Sequence, residues 1–382
     1  LLKNDPVGAT PLLPLGRDEL STIAVIGRLA DVANTGDHGS SDVRAPEVIT
    51  ALRGLAEALP GVTVRHVAEE GPAAAAAAAQ ASDVAVVVAG YTAQDEGEYV
   101  GSEIFTDPTL LGLYPPVGDS TAGRDLLERI SGQDVNVVGS EASGGDRASL
   151  RLRPSDVEIV RAVAAANPRT VVAVVTAGAV VVEEWRDAVP AVLFAWYSGS
   201  EGGRALADVL LGDVDASGRL PFSIPTSEEH LPFFDRNATA ITYDKWFGQR
   251  LLDRDGHAAA FPLGFGLSYT TFELADLSVG AIEDETFEAA VTVTNTGDRA
   301  GRHVVQLYGR TVAEDFPTRV LLGFAPVELR AGGSERVTVR GSVRPLQRWT
   351  SDGFVPAAPT AVIEASAYAG DPRSVRADLR PR

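Results

Sequence analysis

Short, mostly apolar runs recur through the first 225 residues of this 382-residue chain. Five of them cover residues 22–27, 62–67, 83–90, 170–177 and 191–196, and runs of this kind are typical of a parallel sheet covered on both faces. Helical spacing of apolar residues between the runs predicts helices over 45–59, 73–82, 154–167 and 203–211. This alternation predicts a doubly wound, mostly parallel α/β sandwich over residues 21–225.

Local signals refine the helix ends. Pro46 suits the first turn of the first helix, and Ser200 is the predicted N-cap of the last one. The pair Gly202 and Gly203 predicts a close approach between that helix and the sheet. Gly27 is not followed by the further glycines of a dinucleotide fingerprint, so no dinucleotide site and no cofactor are predicted.

From about residue 272 the apolar positions change to a period of two. Short runs separated by turn residues lie at 287–294, 304–308, 327–329, 335–339 and 360–367. This spacing predicts a small antiparallel β-sandwich over residues 272–382. The predicted fold class is therefore α/β followed by all-β.

Two further segments complete the predicted domain organisation. Residues 1–20 contain Pro6, Pro11 and Pro14, which predict an irregular connecting segment, the remnant of an interdomain linker. Residues 226–271 are rich in aromatic residues and proline. They predict a strap laid over another surface, because flexible linkers lack such anchors.

Composition excludes several classes of partner and site. A net charge of −19 disfavours binding to nucleic acid or to an anionic membrane surface, since both would repel the protein. The chain has no cysteine, which excludes disulfides, thiolate metal sites and a cysteine nucleophile. The five histidines are scattered without metal-ligand spacing, so no metal site is predicted.

The ends of the chain carry little information about its compartment. The apolar runs are too short for a membrane span, and no export signal is visible, which favours the cytoplasm only slightly. The sequence contains no methionine and opens on Leu1-Leu2-Lys3, as if within a longer protein. We therefore expect that this chain is a fragment and leave its compartment undetermined.

An acidic run follows the third predicted strand. Asp95, Glu96 and Glu98 lie within four positions of one another, among glycines. A strand that leads into an acidic, glycine-bearing loop is a place where α/β proteins put catalytic groups. The commoner alternative is a solvated acidic loop without chemistry. The local sequence leaves both interpretations open.

Several stretches, in this order, resemble glycoside hydrolase family 3, the β-glucosidase type. They are residues 1–15, 23–27, 39–40, 95–99, 144–147, 197–213, 217–221, 262–272, 293–297 and 304–308. Each motif is short, but their order and spacing agree over nearly the whole chain. The resemblance implies the family's α/β sandwich domain followed by its fibronectin-type-III-like domain.

The resemblance also implies a division of labour between domains. In this family a barrel domain, which we do not find in this chain, supplies the carboxylate nucleophile and most of the sugar pocket. The α/β sandwich lends a loop that carries the general acid/base. A retaining glycosidase needs two carboxyl groups about 5–5.5 Å apart across the scissile bond. One of them must be protonated near neutral pH, so its pKa must be raised.

The resemblance identifies candidate site residues, although this loop is one residue longer than the usual family motif. Glu96 is the first choice for the general acid/base, and Glu98 is the second. Asp95 is a neighbouring carboxylate that would raise a pKa. Asp146 and Arg147 either brace the loop or reach the substrate, and a structural ion pair is at least as common for such neighbours.

The function implied is that of the C-terminal part of a retaining, exo-acting β-glycosidase. Its expected partners are a β-glycoside or oligosaccharide substrate and the missing N-terminal barrel domain. Without the nucleophile, we expect this polypeptide alone to be inactive. The alternative is a stand-alone carbohydrate-binding or assembly module. An exposed apolar face on the strap and acidic loop would favour the missing domain, and a polar face would favour the module.

Overall fold

The structure is a computed structural model that describes residues 1–36, 45–68, 70–96, 121, 147–235 and 238–379. Its first part contains β1 (Lys3–Asn4), β2 (Pro6–Val7), β3 (Thr10–Pro11), β4 (Thr22–Ile26), β5 (Thr63–Val67), β6 (Val84–Gly90), β7 (Thr170–Val175) and β8 (Ala191–Phe194). Six of these strands form one sheet in the order β1-β8-β7-β6-β4-β5. Strands β4 to β8 pair in parallel, and β1 pairs antiparallel with β8.

Helices cover both faces of this sheet. They are α1 (Ala51–Ala58), α2 (Pro72–Gln80), α3 (Ala93–Glu96), α4 (Pro154–Ala166) and α5 (Gly202–Leu211). On one face, α1 and α5 pack on inward residues such as Val86 and Leu193. On the other, α2 and α4 pack on residues such as Val87 and Val172. The predicted doubly wound α/β sandwich is confirmed.

The start of α1 differs from the prediction. The helix begins at Ala51, and the hydroxyl of Thr50 accepts a hydrogen bond from the N–H of Arg53 at 3.2 Å. Pro46 therefore lies before the helix and not in its first turn. The preceding residue, Ile49, exchanges backbone hydrogen bonds with Ser200 and Gly203, so long-range contacts set this start.

Two predictions about α5 are wrong. The helix begins at Gly202 after Glu201, without a side-chain cap, so Ser200 is not its N-cap. The close approach at Gly203 is to a helix and not to the sheet. A Cβ added to Gly203 would lie 1.9 Å from the carbonyl oxygen of Thr50, and one added to Gly54 would lie 2.1 Å from that of Gly203. Paired glycines thus let α1 and α5 cross in backbone contact.

The first 20 residues are more regular than predicted. β1 extends the central sheet at its edge, and β2 and β3 pair with each other. Buried leucines, including Leu12, Leu13 and Leu15, anchor this segment to the core. The prediction that prolines prevent any regular element here is therefore wrong, because sheet edges and short pairs accept proline. The role of this segment as an interdomain linker stays a prediction.

A second sandwich follows. Its strands are β11 (Phe272–Val279), β12 (Thr286–Asn295), β13 (Gly301–Arg310), β14 (Arg319–Leu329), β15 (Ser334–Ser342), β16 (Gln347–Thr350), β17 (Gly353–Pro356), β18 (Ala361–Ser366) and β19 (Val375–Leu379). An antiparallel sheet β11-β12-β15 packs against a second one, β14-β13-β18-β19, around one core. The predicted all-β part is confirmed, although β11, β16, β17 and β19 were not predicted.

The predicted strap contains little regular structure. The short pair β9 (Ile224–Pro225) and β10 (Ala259–Phe261) flanks helix α6 (Gln249–Asp255). Large apolar side chains of the strap point into solvent: Phe233, Phe234, Ile241, Tyr243 and Phe247. No helix within the described ranges is long and apolar enough to cross a membrane.

Candidate functional site

The carboxyl ends of the parallel strands bring separate polar residues to one edge of the central sheet. Arg28 follows β4, the acidic run follows β6, Ala177 follows β7 and Tyr197 follows β8. Strands β8, β7, β6 and β4 are successive neighbours in the sheet. Residues from distant parts of the chain therefore meet at this edge, where open α/β sheets place their ligands.

Glu96, the last residue of α3, has only 7% of its side chain exposed. Its Oε1 accepts hydrogen bonds from the backbone N–H of Ala177 at 2.6 Å and from the hydroxyl of Tyr197 at 2.7 Å. Its Oε2 lies 2.6 Å from Nε of Arg147. Both carboxylate oxygens are thus engaged, one by neutral donors and the other by a guanidinium.

Arg147 is itself fixed from several sides, with 9% of its side chain exposed. Its Nη2 donates to the carbonyl of Ala179 at 3.0 Å, and its guanidinium lies 4.5 Å from the ring centre of Tyr91. The hydroxyl of Tyr91 donates to the carbonyl of Arg151, and burial raises the pKa of this hydroxyl. The neutral ring of Tyr91 therefore makes a cation–π contact with the guanidinium of Arg147. Such contacts are stronger where water is excluded.

Asp95 anchors the other side of α3. Its Oδ2 accepts a hydrogen bond from the N–H of Thr92 at 2.9 Å and lies 3.3 Å from Nη2 of Arg28. Its Oδ1 is paired with Arg153 at the start of α4. Arg28 also donates to the carbonyl of Gly90 at 2.6 Å. Through Arg28 and Arg153, Asp95 thus links α3 to the end of β4 and to the start of α4.

A third carboxyl lies beneath these pairs. Asp156 is buried in the first turn of α4, and its Oδ2 accepts a hydrogen bond from the N–H of Gly90 at 3.4 Å. Burial raises the pKa of Asp156, while the charges of Arg28 and Arg153 act against that rise. Burial also lowers the pKa of Arg153. The acidic run therefore begins above a compact set of opposed charges.

This arrangement can hold the beginning of the acidic run in one place and surround it with oriented charge. Every carboxylate in it already has a protein donor. Within the described parts of the chain, no group of three or more histidine, aspartate or glutamate side chains could hold a metal ion.

Comparison with family models agrees with this architecture. The model described as "Glycosyl hydrolase family 3 C-terminal domain" matches residues 1–269. The chain belongs to glycoside hydrolase family 3. A second model, "Fibronectin type III-like domain", matches residues 303–363, which lie within the antiparallel sandwich. The predicted family and the fibronectin-type-III-like character of the second sandwich are confirmed.

Proteins with similar sequences are named as beta-glucosidases. A probable beta-glucosidase I of Aspergillus terreus is 38% identical over 214 residues, covering 52% of this chain and 25% of that protein. A beta-glucosidase of Bacteroides ovatus is 31% identical over 321 residues, covering 81% of this chain and 40% of that protein. The chain thus spans well under half the length of these relatives.

Solved structures of longer proteins share the whole fold. A beta-D-glucoside glucohydrolase from Trichoderma reesei superposes with a TM-score of 0.80 at 23% identity, over 100% of this chain and 54% of that one. A GH3 beta-glucosidase from Bifidobacterium adolescentis gives 0.76 at 27% identity, over 99% of this chain and 51% of that one. Both sandwiches therefore occur in longer family members.

The structure brings three of the five predicted site residues together. Asp95, Glu96 and Arg147 lie at the same sheet edge, with Glu96 and Arg147 in direct contact. Glu98 and Asp146 lie outside the described residues. Asp95 contacts Arg28, which follows β4, and Arg153, which precedes the first turn of α4. The roles assigned to all five residues stay predictions.

Sequence reasoning missed several residues of this edge. Arg28, Arg153 and Tyr197 contribute side chains, and Ala177 contributes a backbone N–H. A usable signal existed for some of them, because Arg28 and Tyr197 each directly follow a predicted buried strand and Ala177 is the last residue of one. In a parallel sheet such positions converge on one edge. Nothing local indicated which of them would contact Glu96.

Proposed function

We propose that this chain is the C-terminal part of a retaining, exo-acting β-glycosidase that resembles a β-glucosidase and hydrolyses terminal β-linked sugars. In this proposal the α/β sandwich supplies the general acid/base, and a barrel domain supplies the nucleophile. Relatives named as beta-glucosidases, of which this chain covers 25% and 40%, support it. The observation that supports it most directly is that Asp95 and Glu96, the first two carboxylates of the acidic run, are held at the carboxyl edge of the sheet.

The contacts of Glu96 bear on which glutamate is the acid/base. A general acid must present its proton to the glycosidic oxygen, and later accept a proton from water. Both oxygens of Glu96 are occupied by Ala177, Tyr197 and Arg147, and the side chain is almost entirely buried. These contacts favour a bracing role for Glu96. We therefore propose Glu98, the second choice from the sequence, as the general acid/base.

Two amide substitutions test this assignment in a protein that joins the chain to a barrel domain. That barrel would come from upstream in the same gene or from a family relative. In Glu98→Gln we expect a loss of roughly 10²–10⁴-fold on substrates with poor leaving groups. Added azide should restore turnover of activated aryl glycosides, because the anion can attack the glycosyl-enzyme without a general base.

Glu96→Gln is the matched control for this experiment. It should lower activity less, because the amide oxygen can still accept from Ala177 and Tyr197, and azide should have no effect. If azide instead rescues Glu96→Gln and not Glu98→Gln, Glu96 is the acid/base. If neither variant responds, the acidic run does not supply that group.

The isolated chain should not hydrolyse β-glycosides, because double displacement needs a nucleophile on a second carboxylate. We expect no turnover of an aryl β-glucoside by residues 1–382 alone. Addition of a barrel domain in trans or in cis should restore it. Ordinary turnover by the isolated chain would contradict the proposed division of labour.

The strap bears on the alternative of an independent binding module. Phe233 is 82% exposed and Tyr243 is 58% exposed, with Phe234, Ile241 and Phe247 also in solvent. Exposed apolar groups concentrated in one segment are typical of a surface that another domain covers. We therefore favour a catalytic part over a stand-alone module. Binding of the isolated chain to soluble β-glucan, measured by calorimetry, would favour the module.

A further inference from the structure

The carboxylate of Glu96 and three groups around it form what we call the clasp: the guanidinium of Arg147, the N–H of Ala177 and the hydroxyl of Tyr197. We propose that Tyr197 and Arg147 are positioning residues that act through Glu96 to set the direction in which the general acid/base is presented. This inference rests on the proposed function. It assigns a role to Tyr197, which begins one of the stretches that resemble the family but received no role from the sequence.

The clasp joins segments that the sequence keeps far apart. Glu96 ends α3, Arg147 precedes α4, and Ala177 and Tyr197 follow the neighbouring strands β7 and β8. Their donors reach Glu96 at 2.6, 2.6 and 2.7 Å. The end of α3 is thereby tied to two strands of the rigid sheet.

Burial makes the clasp stiff. Less than a tenth of either charged side chain is exposed, so solvent cannot replace the ion pair between Glu96 and Arg147. Loss of one partner in a buried pair leaves an uncompensated charge, which is far more costly than loss of a surface pair. Arg147 is also held by the carbonyl of Ala179 and the ring of Tyr91. Few orientations of Glu96 satisfy all of these contacts.

Backbone strain at the end of β8 points to the same place. Trp196, directly before Tyr197, has a φ of 57°, which is unfavourable for a bulky residue. Edge-to-face contacts hold its ring at 5.5 Å from Phe194 and 5.8 Å from Phe222. Strain of this kind persists only where surrounding packing enforces it, and it concentrates at functional sites. Here it occurs where the chain presents Tyr197 to Glu96.

The clasp can influence catalysis through chain connectivity. Glu98 follows Glu96 by two residues, so their Cα atoms are at most about 7 Å apart. A displacement of 1 Å at a reacting group can cost roughly 10²-fold in rate. A clasp that fixes Glu96 therefore fixes the origin of the short segment that carries the proposed acid/base. Neither Tyr197 nor Arg147 needs to touch the substrate for this effect.

Leaving-group dependence distinguishes positioning from a general loss of structure. The dinitrophenyl group of an aryl β-glucoside leaves as a stable phenolate and needs little protonation, whereas the alkoxide of an alkyl β-glucoside can leave only if the general acid protonates the glycosidic oxygen. A misplaced acid should therefore slow the alkyl substrate selectively. A partly unfolded or poorly assembled enzyme should lose activity on both substrates equally.

The experiment uses the barrel-bearing protein with Tyr197→Phe, which keeps the ring and removes only the hydroxyl. We expect kcat/KM to fall about tenfold further for the alkyl glucoside than for the dinitrophenyl glucoside. This is the size of effect expected when one hydrogen bond to a charged group is lost. Arg147→Gln should show the same selectivity with a larger loss. If Arg147→Gln does not fold, Tyr197→Phe alone decides.

Tyr269→Phe is the matched control, since the hydroxyl of Tyr269 donates to the carbonyl of Val209 at 2.6 Å, away from the acidic run. It removes a comparable hydrogen bond and should not change the ratio between the two substrates. Equal losses on both substrates in Tyr197→Phe, or no loss, would overturn the inference. If the unaltered protein hydrolyses neither glucoside, the proposed function itself fails.

Discussion

His303 makes the stability of the second sandwich depend on pH in a way that one substitution can test. The side chain is 4% exposed on β13, and its ring lies 4.9 Å from the ring of Phe272. Neither ring nitrogen has a hydrogen-bond partner among the described residues. Burial, reinforced by Arg219 and Arg373 against the opposing charge of Asp371, lowers the pKa of His303 from 6.5 to about 4.

The sign follows from linkage between protonation and folding. Above pH 6.5 the imidazole is neutral in both folded and unfolded chains, and its ionisation costs the fold nothing. Between pH 6.5 and about 4 the unfolded chain binds a proton that the folded chain excludes, so stability falls as the pH falls. At about 1.4 kcal/mol per unit of pKa difference, the loss reaches about 3 kcal/mol near pH 4.

His303→Leu removes this group while it keeps the site apolar and filled. Urea unfolding, followed by circular dichroism at half-unit steps from pH 7 to 4, gives the free energy of unfolding of each protein. From pH 7 to pH 4, we expect the free energy of unfolding of the variant to increase relative to that of the parent by about 3 kcal/mol. His66→Gln is the control, because His66 lies exposed on β5. A constant difference between pH 7 and 4 would refute the reasoning.

Two further substitutions test packing and charge in the fold. Gly203→Ala would place a Cβ 1.9 Å from the carbonyl oxygen of Thr50, so α1 and α5 must separate, and we expect a loss of about 3 kcal/mol in chemical unfolding. Gly218→Ala, where an added Cβ meets nothing within 4 Å, should cost far less, and similar losses in both would contradict this account. Glu364→Gln removes the buried carboxylate that pairs with Arg310, Arg319 and Arg376, and should cost about 3 kcal/mol. The control Arg376→Ala, at the most exposed of these arginines, should cost under about 1 kcal/mol, and the reverse order would show that the network is not centred on Glu364.

The strap offers a separate indication of how this chain is used. Its exposed aromatic side chains lie in a segment that is otherwise tied to the fold, since Gln249 of α6 contacts Ser223 at 2.8 Å and Asp253 contacts Arg319 of the sandwich at 3.0 Å. These contacts hold α6, which begins two residues after Phe247, against the rest of the fold. Exposed aromatic residues beside a held element favour a surface for another domain.

Much of the fold was predictable because its signals are local. Near-continuous apolar runs predicted β4, β6, β7 and β8, and the change to a period of two predicted the second sandwich. A strand buried on both faces must be apolar throughout, and a half-buried strand must alternate. Among the strands that were missed, β16 and β17 have only four residues each and are half exposed, so their sequences carry little pattern.

The sequence by itself determined that an acidic run leaves the third strand of a parallel sheet, and its motifs indicated the family. The tertiary structure decided which partners that run meets. Arg147, Ala177 and Tyr197 reach Glu96 only because parallel strands end at one edge, and no local spacing encodes that contact. In the same way, Thr50 and the crossing at Gly203 set the start of α1. Local periodicity fixes elements, whereas contacts between distant segments fix their ends and their chemistry.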